Sequence, residues 1–375
     1  MPEVTYALRV NGSPVTPEVL GAVVQIDVED HADLADMLRL RLAVAVRTDG
    51  TGWTVLDDDL FPRLTPVAVD VVIGGTKMPL FDGHVIESSA TFSNDPGGSV
   101  LTVVAMDPSV LMHLEEKVKA WPNMADSDVA SAIFSDAAYN LTPVVETTQF
   151  QRQEDDETLL QRGSDMQFLR QLADRNGYEC FVELSDAGQA EGHFHPPKHT
   201  AKPQGVLSVN LGEATNVNAF AARFDMLGPT EAEVTGLDVS SGNDQPATIQ
   251  SSSLQDLGKA RTGAQDRPRK VLLAGTGMAQ TGELQPLAQA VVDRSAWAIT
   301  AEGELNTLAY GGVLRAKRPV EVRGAGRQFS GTYYVEKVLH SFSGNGYTQR
   351  FALRRNAIGL TGSEKFTDDG ALSSA

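Results

Sequence analysis

One cysteine, Cys180, serves a chain of 375 residues. That excludes an internal disulfide framework and fits assembly in a reducing cytosol. No window approaches the ~20 consecutive apolar residues that a membrane-spanning helix requires. The opening "MPEVTYALRVNGSPV" lacks the basic-then-apolar order of a secretory signal. Basic residues are scarce, 31 against 49 acidic, for a formal charge of −18. Such a field disfavours sequence-specific nucleic-acid binding and adsorption to anionic membranes. If the acidic excess faces a passage, it suits one through which a polyanion must slide without sticking. Aromatics make up 6% of residues, with three tryptophans, Trp53, Trp121 and Trp297, a thin supply for the stacking platforms of a carbohydrate-binding adhesin.

Catalytic templates are missing as well. "GTGMAQTG" begins like a dinucleotide loop but carries Gln280 at the third glycine position, and "GAGRQF" carries Phe329 there; neither opens a βαβ unit. There is no phosphate loop, no Gly-x-Ser-x-Gly elbow and no His-Glu-x-x-His helix. The acidic runs at 57–60 and 154–157 read as solvated turns and caps rather than the spaced, partly buried carboxylate pair of a glycosidase. Cys180 lies in an apolar strand pattern with no histidine nearby, so it reads as a buried structural thiol. "HFHPPKH" alone has ligand-like spacing. In an extended segment His193 and His195 point to one side, and the loop could return His199 to complete a zinc set; the competing reading is a Pro-rich loop with scattered histidines. A tail-tip cell-wall hydrolase, the alternative function, would have to rest on that cluster. No cofactor is expected.

What is present is β-structure: 34 glycines, 18 prolines and 41% hydrophobic residues suit a loop-rich protein with many strands. Residues 1–112 read as strands, with an Asn-Gly hairpin in "TYALRVNGSPV". Residues 113–200 read as α/β, with a helix capped at Asp126 or Ser127 and a helical turn at "DDETLLQRG". In "SDMQFLRQLADRNGYECFVEL", Ser164 and Gln167 form a capping box, Met166, Phe168, Leu169, Leu172 and Ala173 gather on one helix face, and Asn176-Gly177 ends the helix. The strand that follows alternates as if one face were buried. Strands return over 201–359, with a helix at "LQPLAQAVVDRSAWAITAEG" and a polar exposed loop near 240–270. Residues 360–375 read as a flexible tail.

One order recurs. Residues 66–93 contain "PVAVDVVIGG…FDGHVIE…TFS" and residues 319–343 contain "PVEVRGAG…FSGTYYVE…SFS". The repeat predicts a mainly β chain with an α+β middle: a first antiparallel β-barrel domain over 1–112, a connecting domain over 113–200 and a related second barrel over 201–359. Three such chains would present six similar units in a pseudo-sixfold ring.

Three segments in this order resemble one family. "SDMQFLRQLADRNGYECFVE", with Ser164, Asp165, Phe168, Leu169, Leu172, Gly177 and Tyr178, is the first. "EAEVTGLDVSS", with Gly236 and Asp238, is the second. "FSGTYYVEKVLHSFSGNGYTQRFALRRN", with Phe329, Gly331, Tyr333, Val335, His340, Gly346 and Tyr347, is the third. Together they are similar to the baseplate hub proteins of contractile injection machines: phage late control protein D, the contractile phage tail hub and the hub portion of the type VI secretion spike. The resemblance implies a non-enzymatic homotrimer that adapts a sixfold inner tube to a threefold spike and lines the cargo lumen. Its partners would be an inner tube or tube-initiator protein, a separate spike protein and other baseplate proteins, with no membrane. It would be assembled in the cytoplasm as a component of a phage tail or an injection particle. The motif residues would then be packing and capping positions. Spikes of this family usually continue into an OB-like domain and a needle; the chain ends about sixteen residues after the last matched strand, which implies a hub without its spike.

Overall fold

The computed structural model describes residues 4–95, 97–151, 158–185, 188–237, 244–263, 268–273 and 281–366. The run 154–157, Asp238, Gln280 and the tail beyond 366 lie outside them. The chain is mainly β, built on large antiparallel sheets.

β1 (Val4–Val10) turns into β2 (Ser13–Pro14) through Asn11 and Gly12, whose φ values of 51° and 75° are the left-handed pair of a tight hairpin. After α1 (Pro17–Ala22) come β3 (Val23–His31), β4 (Met37–Ala43), β5 (Pro66–Ile73), β6 (Thr76–Thr91) and β7 (Val100–Met106). They pair in the order β1-β5-β6-β7-β4-β3. Alternation in "MLRLRLA" sends Leu38, Leu40 and Leu42 inward, where they meet Ile26, Val28, Val69, Val71 and Val103. Each such side chain contributes roughly 1.5–3 kcal/mol by leaving water.

The middle region holds β8 (Glu116–Trp121), α2 (Asp126–Phe134), β9 (Thr142–Val145), β10 (Leu159–Ser164), α3 (Asp165–Asn176), β11 (Glu179–Leu184) and β12 (Ala190–His195). α3 follows its sequence closely. Ser164 accepts from the Gln167 N–H, Gln167 answers to the Ser164 N–H, and Gly177 closes the helix at φ 68°. Its apolar face packs with that of α2 over Cys180, Val182 and Phe194. Three expectations are corrected. The described part of "DDETLLQRG" is strand, because β10 pairs with β8 over its whole length. Helix α2 is capped at Ala125, whose N–H is accepted by Asp128; Asp126 is already its first residue. And β11 is buried on both faces, Glu179 and Phe181 included, because the C-terminal strands cover the side expected to meet water.

The last portion contains β13 (Val206–Ser208), β14 (Val217–Phe224), β15 (Thr230–Leu237), β16 (Asp244–Ile249), β17 (Ala260–Arg261), β18 (Arg269–Leu273), α4 (Thr281–Ala296), β19 (Ile299–Leu305), β20 (Pro319–Arg323), β21 (Gly331–Ser343), β22 (Gly346–Arg355) and β23 (Ala357–Ile358). Where a loop is expected near 240–270, the described residues instead include β16, β17 and the start of β18. β16 and β18 flank β15, and Leu254 and Leu257 are buried. The expected helix stops at Ala296, and "ITAEG" belongs to β19. Of the tail, residues 365 and 366 donate their N–H groups to Glu321.

The two ends of the chain repeat one strand arrangement. β3, β4, β5, β6 and β7 neighbour one another as β5-β6-β7-β4-β3; β14, β19, β20, β21 and β22 do so as β20-β21-β22-β19-β14. The β15–β18 segment and α4 are an insertion in the second set. The irregularities coincide too. β3 bulges between Val23 and Gln25 where β14 bulges between Val217 and Ala219; β6 bulges between Val85 and Glu87 where β21 bulges between Val335 and Lys337. Bulges re-aim strands at fixed places, so their coincidence sets the equivalence of the two registers. Pro66 then matches Pro319, and Phe92-Ser93 matches Phe342-Ser343. Gly83, however, matches Tyr333 rather than Gly331: the Phe-x-Gly pairs sit two residues out of step, because the tips joining β5 to β6 and β20 to β21 differ in length. The two sets join edge to edge through β3 and β21 into a single 13-stranded sheet.

Candidate functional site

Ionisable groups are concentrated where the two strand sets and the middle region meet. Lys317, just before β20, takes a left-handed conformation at φ 65°, as does its counterpart Leu64 before β5 at φ 62°. Both N–H groups donate to a bulge valine, Val335 and Val85. The lysine then reaches across the joint. Its ammonium is buried, 2.7 Å from Asp30 Oδ1 in β3 and 2.9 Å from Asp36 Oδ1. Asp30 also accepts the Ala316 N–H, Asp36 the His31 N–H, and Asp107 the N–H groups of Asp36 and Ser109.

Burial alone would raise Asp30, but Lys317 and Arg315 outweigh it and hold that carboxyl well below the usual range. Burial also works against the lysine's charge, and Asp30 and Asp36 overcome it, so the ammonium stays protonated far above the ordinary lysine range. Asp36 and Asp107 are pushed up, mainly by burial. A cleft of about 80 Å³ opens beside them, lined also by Asp82, Glu183, Arg315 and Arg318. Its buried carboxylates Asp30, Asp36 and Asp107 are engaged by Lys317 and by backbone N–H groups, an arrangement that locks elements together.

A second joint lies on the same face of β11, at its N-terminal end. Arg354 of β22 donates to Glu179 Oε1 at 2.7 Å, and the Tyr334 hydroxyl donates to Glu179 Oε2 at 2.6 Å. Burial pushes Glu179 up to about 7, with Arg354 and Tyr334 opposing. The guanidinium also lies against the rings of Trp297 and Tyr334. Sequence reasoning missed Lys317, Asp30, Glu179 and Arg354. The available signal was Glu179 itself, an acid set directly against the apolar run Cys180–Val182.

The motif residues fall into separate places. Ser164 caps α3; Phe168, Leu169 and Leu172 are in the middle core; Gly177 brings α3 close to Ala290 of α4; and the Tyr178 hydroxyl donates to the Thr147 carbonyl. Asp165 is buried at the base of the β8–β10 ribbon. Burial would raise it, but donors Lys117, Tyr139 and Gln161 at 2.5–2.7 Å hold it below the ordinary carboxylate range. Gly236 lies in β15. Phe329 accepts at its carbonyl from the Tyr333 hydroxyl, and Gly331, φ 133°, leaves room for the buried Arg355 guanidinium. Val335 is the bulge valine. His340 faces the Tyr347 hydroxyl at 2.7 Å, and Gly346, φ 93°, shapes the adjoining turn. Burial, reinforced by Arg315, lowers His340 to about 3.

The histidine cluster comes together only in part. His193 Nδ1 and His195 Nε2 are 3.1 Å apart, but His199 turns to the carbonyls of Pro197 and Gln255. Carboxylates of Glu183 and Glu191 lie 3.5 and 3.3 Å from His193. Among the described residues no set of three or more His, Cys, Asp or Glu is arranged to hold a metal. Burial lowers His193 to about 3 and His195 to about 4, so both are neutral at pH 7. In the run 57–60, Asp57 accepts the Trp53 N–H and Asp58 that of Val55, which is turn capping. Cys180 is buried, and burial pushes its thiol up to about 12.

The fold is shared with tail proteins. The 43 kDa tail protein of prophage MuSo2 from Shewanella oneidensis is 13% identical, with a TM-score of 0.66 over 94% of this chain and 99% of that one. The tail protein of Neisseria meningitidis MC58 is 13% identical, TM-score 0.63, over 95% and 98%. An E. coli component of the type VI secretion system, described as structurally similar to the T4 phage tail proteins gp27 and gp5, is 9% identical, TM-score 0.57, over 94% and 78%. No curated protein matches in sequence. Residues 2–344 match the family described as the Alg8 N-terminal domain, and the chain belongs to that family.

Proposed function

We propose that the protein is a structural, non-enzymatic hub of a contractile tail or injection machine, assembled in the cytoplasm as a homotrimer. In this reading the two equivalent strand sets are the cores of two related barrel domains, over 1–112 and 201–359, with 113–200 connecting them. Three chains then place six similar units around a lumen. One face meets an inner tube or tube-initiator protein, the other a separate spike, with further baseplate proteins around the rim. The carrying observation is the coincidence of strand order and bulges between the two sets, on a fold shared with phage tail proteins. A unit present twice per chain turns threefold assembly into a near-sixfold surface. The buried Lys317 and Glu179 joints fit this role, since they fix the angle between the units. Native mass measurement on the purified protein tests it: a trimer that binds tube and spike proteins is expected, and a stable monomer or dimer that binds neither contradicts it.

A further inference from the structure

The joint between the two strand sets is also a template for a joint between chains. Inside one chain, β3 of the first set pairs with β21 of the second. The bulge equivalence makes β14 the counterpart of β3, and residues 87–92 the counterpart of 337–342. Among the described residues both counterparts are open. β14 ends the sheet with one edge that no described strand pairs. β5 covers β6 only as far as His84, so residues 87–91 pair with β7 alone and are exposed.

We infer, resting on the trimer reading above, that copies join head to tail by antiparallel pairing of β14 with residues 87–91 of the next copy. The register follows from the internal joint. Asp27 opposite Ser341 becomes Ala221 opposite Thr91, and Ile26 opposite Phe342 becomes Phe220 opposite Phe92.

Three observations support this occupant. The donors point the right way: Asp225 N–H bonds the Ala298 carbonyl, so by alternation the N–H groups of Phe224, Ala222 and Phe220 face away from β19, toward the open edge. The apolar match is present: Phe342 is buried in the internal joint, whereas its counterpart Phe92 is 56% exposed. The charges match with signs exchanged. Lys337 pairs with Glu29 at 2.7 Å, and their counterparts are Glu87 and Arg223, both exposed and neither in an ion pair among the described residues. Asp225 falls opposite Glu87, but its carboxylate accepts the Leu227 N–H within its own turn. The contact uses two different patches, so it propagates until rotation closes it.

Cysteine pairing tests the register. Ala32 N–H bonds the Glu336 carbonyl in the internal joint, which makes the Asp27–Ser341 pair non-hydrogen-bonded. The two Cα atoms of such a pair lie about 4.5 Å apart, within disulfide reach. The variant Thr91→Cys/Ala221→Cys, oxidised mildly, is expected to give covalent trimers on a denaturing gel. The single variants, and Glu87→Cys/Ala221→Cys shifted by about 13 Å, are expected not to; buried Cys180 stays silent. Arg223→Glu should weaken assembly roughly tenfold, and adding Glu87→Arg should restore it. A native trimer without the 91–221 disulfide, or with the shifted pair linking equally well, overturns this interface and leaves the trimer standing. A native monomer overturns the trimer reading and the interface with it.

Discussion

Lys317 and Asp30, 287 residues apart in sequence, form a buried ion pair at 2.7 Å that ties the second strand set to the first. Removing one partner of such a pair strands the other charge away from water, at a cost of about 3–5 kcal/mol. Lys317→Met is therefore expected to lower the urea midpoint by that equivalent while far-ultraviolet circular dichroism stays native. A change below about 1 kcal/mol would show that the pair is solvated.

The second prediction concerns acid. His340 titrates near 3 in the fold, below its ordinary 6.5, so the unfolded chain binds the extra proton between those values. The stability tied to its neutral form is complete above pH 6.5 and is lost as pH falls toward 3. A His340→Gln variant should narrow its deficit against the wild type by roughly 1.4 kcal/mol for each pH unit below 6.5. Denaturant titrations at pH 7.5, 6 and 5 measure this, and a constant deficit would mean the imidazole titrates normally.

Glu179 runs the other way. Its pKa is raised to about 7 from 4.5, so its contribution is complete below about pH 4.5 and fades as pH rises through 7. Glu179→Gln should therefore gain on the wild type between pH 5 and 8. If instead the difference between variant and wild type stays constant over that interval, Arg354 holds the carboxylate ionised throughout.

A fourth prediction concerns backbone approach. A Cβ at Gly303 would run into the Ala219 carbonyl and the Phe351 ring, whereas one at Gly344 meets nothing within 4 Å. Gly303→Ala should cost about 1–3 kcal/mol, and Gly344→Ala should stay within about 0.5 kcal/mol of wild type. Thermal melts of the pair distinguish packing from backbone entropy.

Local features were legible in the sequence. The Asn11-Gly12 hairpin, the Ser164–Gln167 capping box and the Gly177 stop are set by short-range conformational demands. The tandem Pro-Val-x-Val motif pointed to the repeated strands, though not to their register, because the tips joining β5 to β6 and β20 to β21 differ in length and put the Phe-x-Gly pairs two residues out of step, which turn composition does not encode. The polar stretch over 240–270 looked like a loop because the order of its described residues comes from flanking β15 and from burying Leu254 and Leu257. Lys317 and Glu179 escaped notice for a related reason. A buried charge is recognisable only once its partner is known, and both partners lie far away along the chain. The histidine spacing suggested a metal set, yet His199 is drawn off by the Gln255 carbonyl.

Single-particle imaging of the purified assembly addresses the duplicated-unit account at its root. The account predicts a closed collar of six similar lobes around an open centre, superimposable after a 120° turn and nearly so after 60°. Solitary particles, or twofold pairs without a central opening, would contradict it.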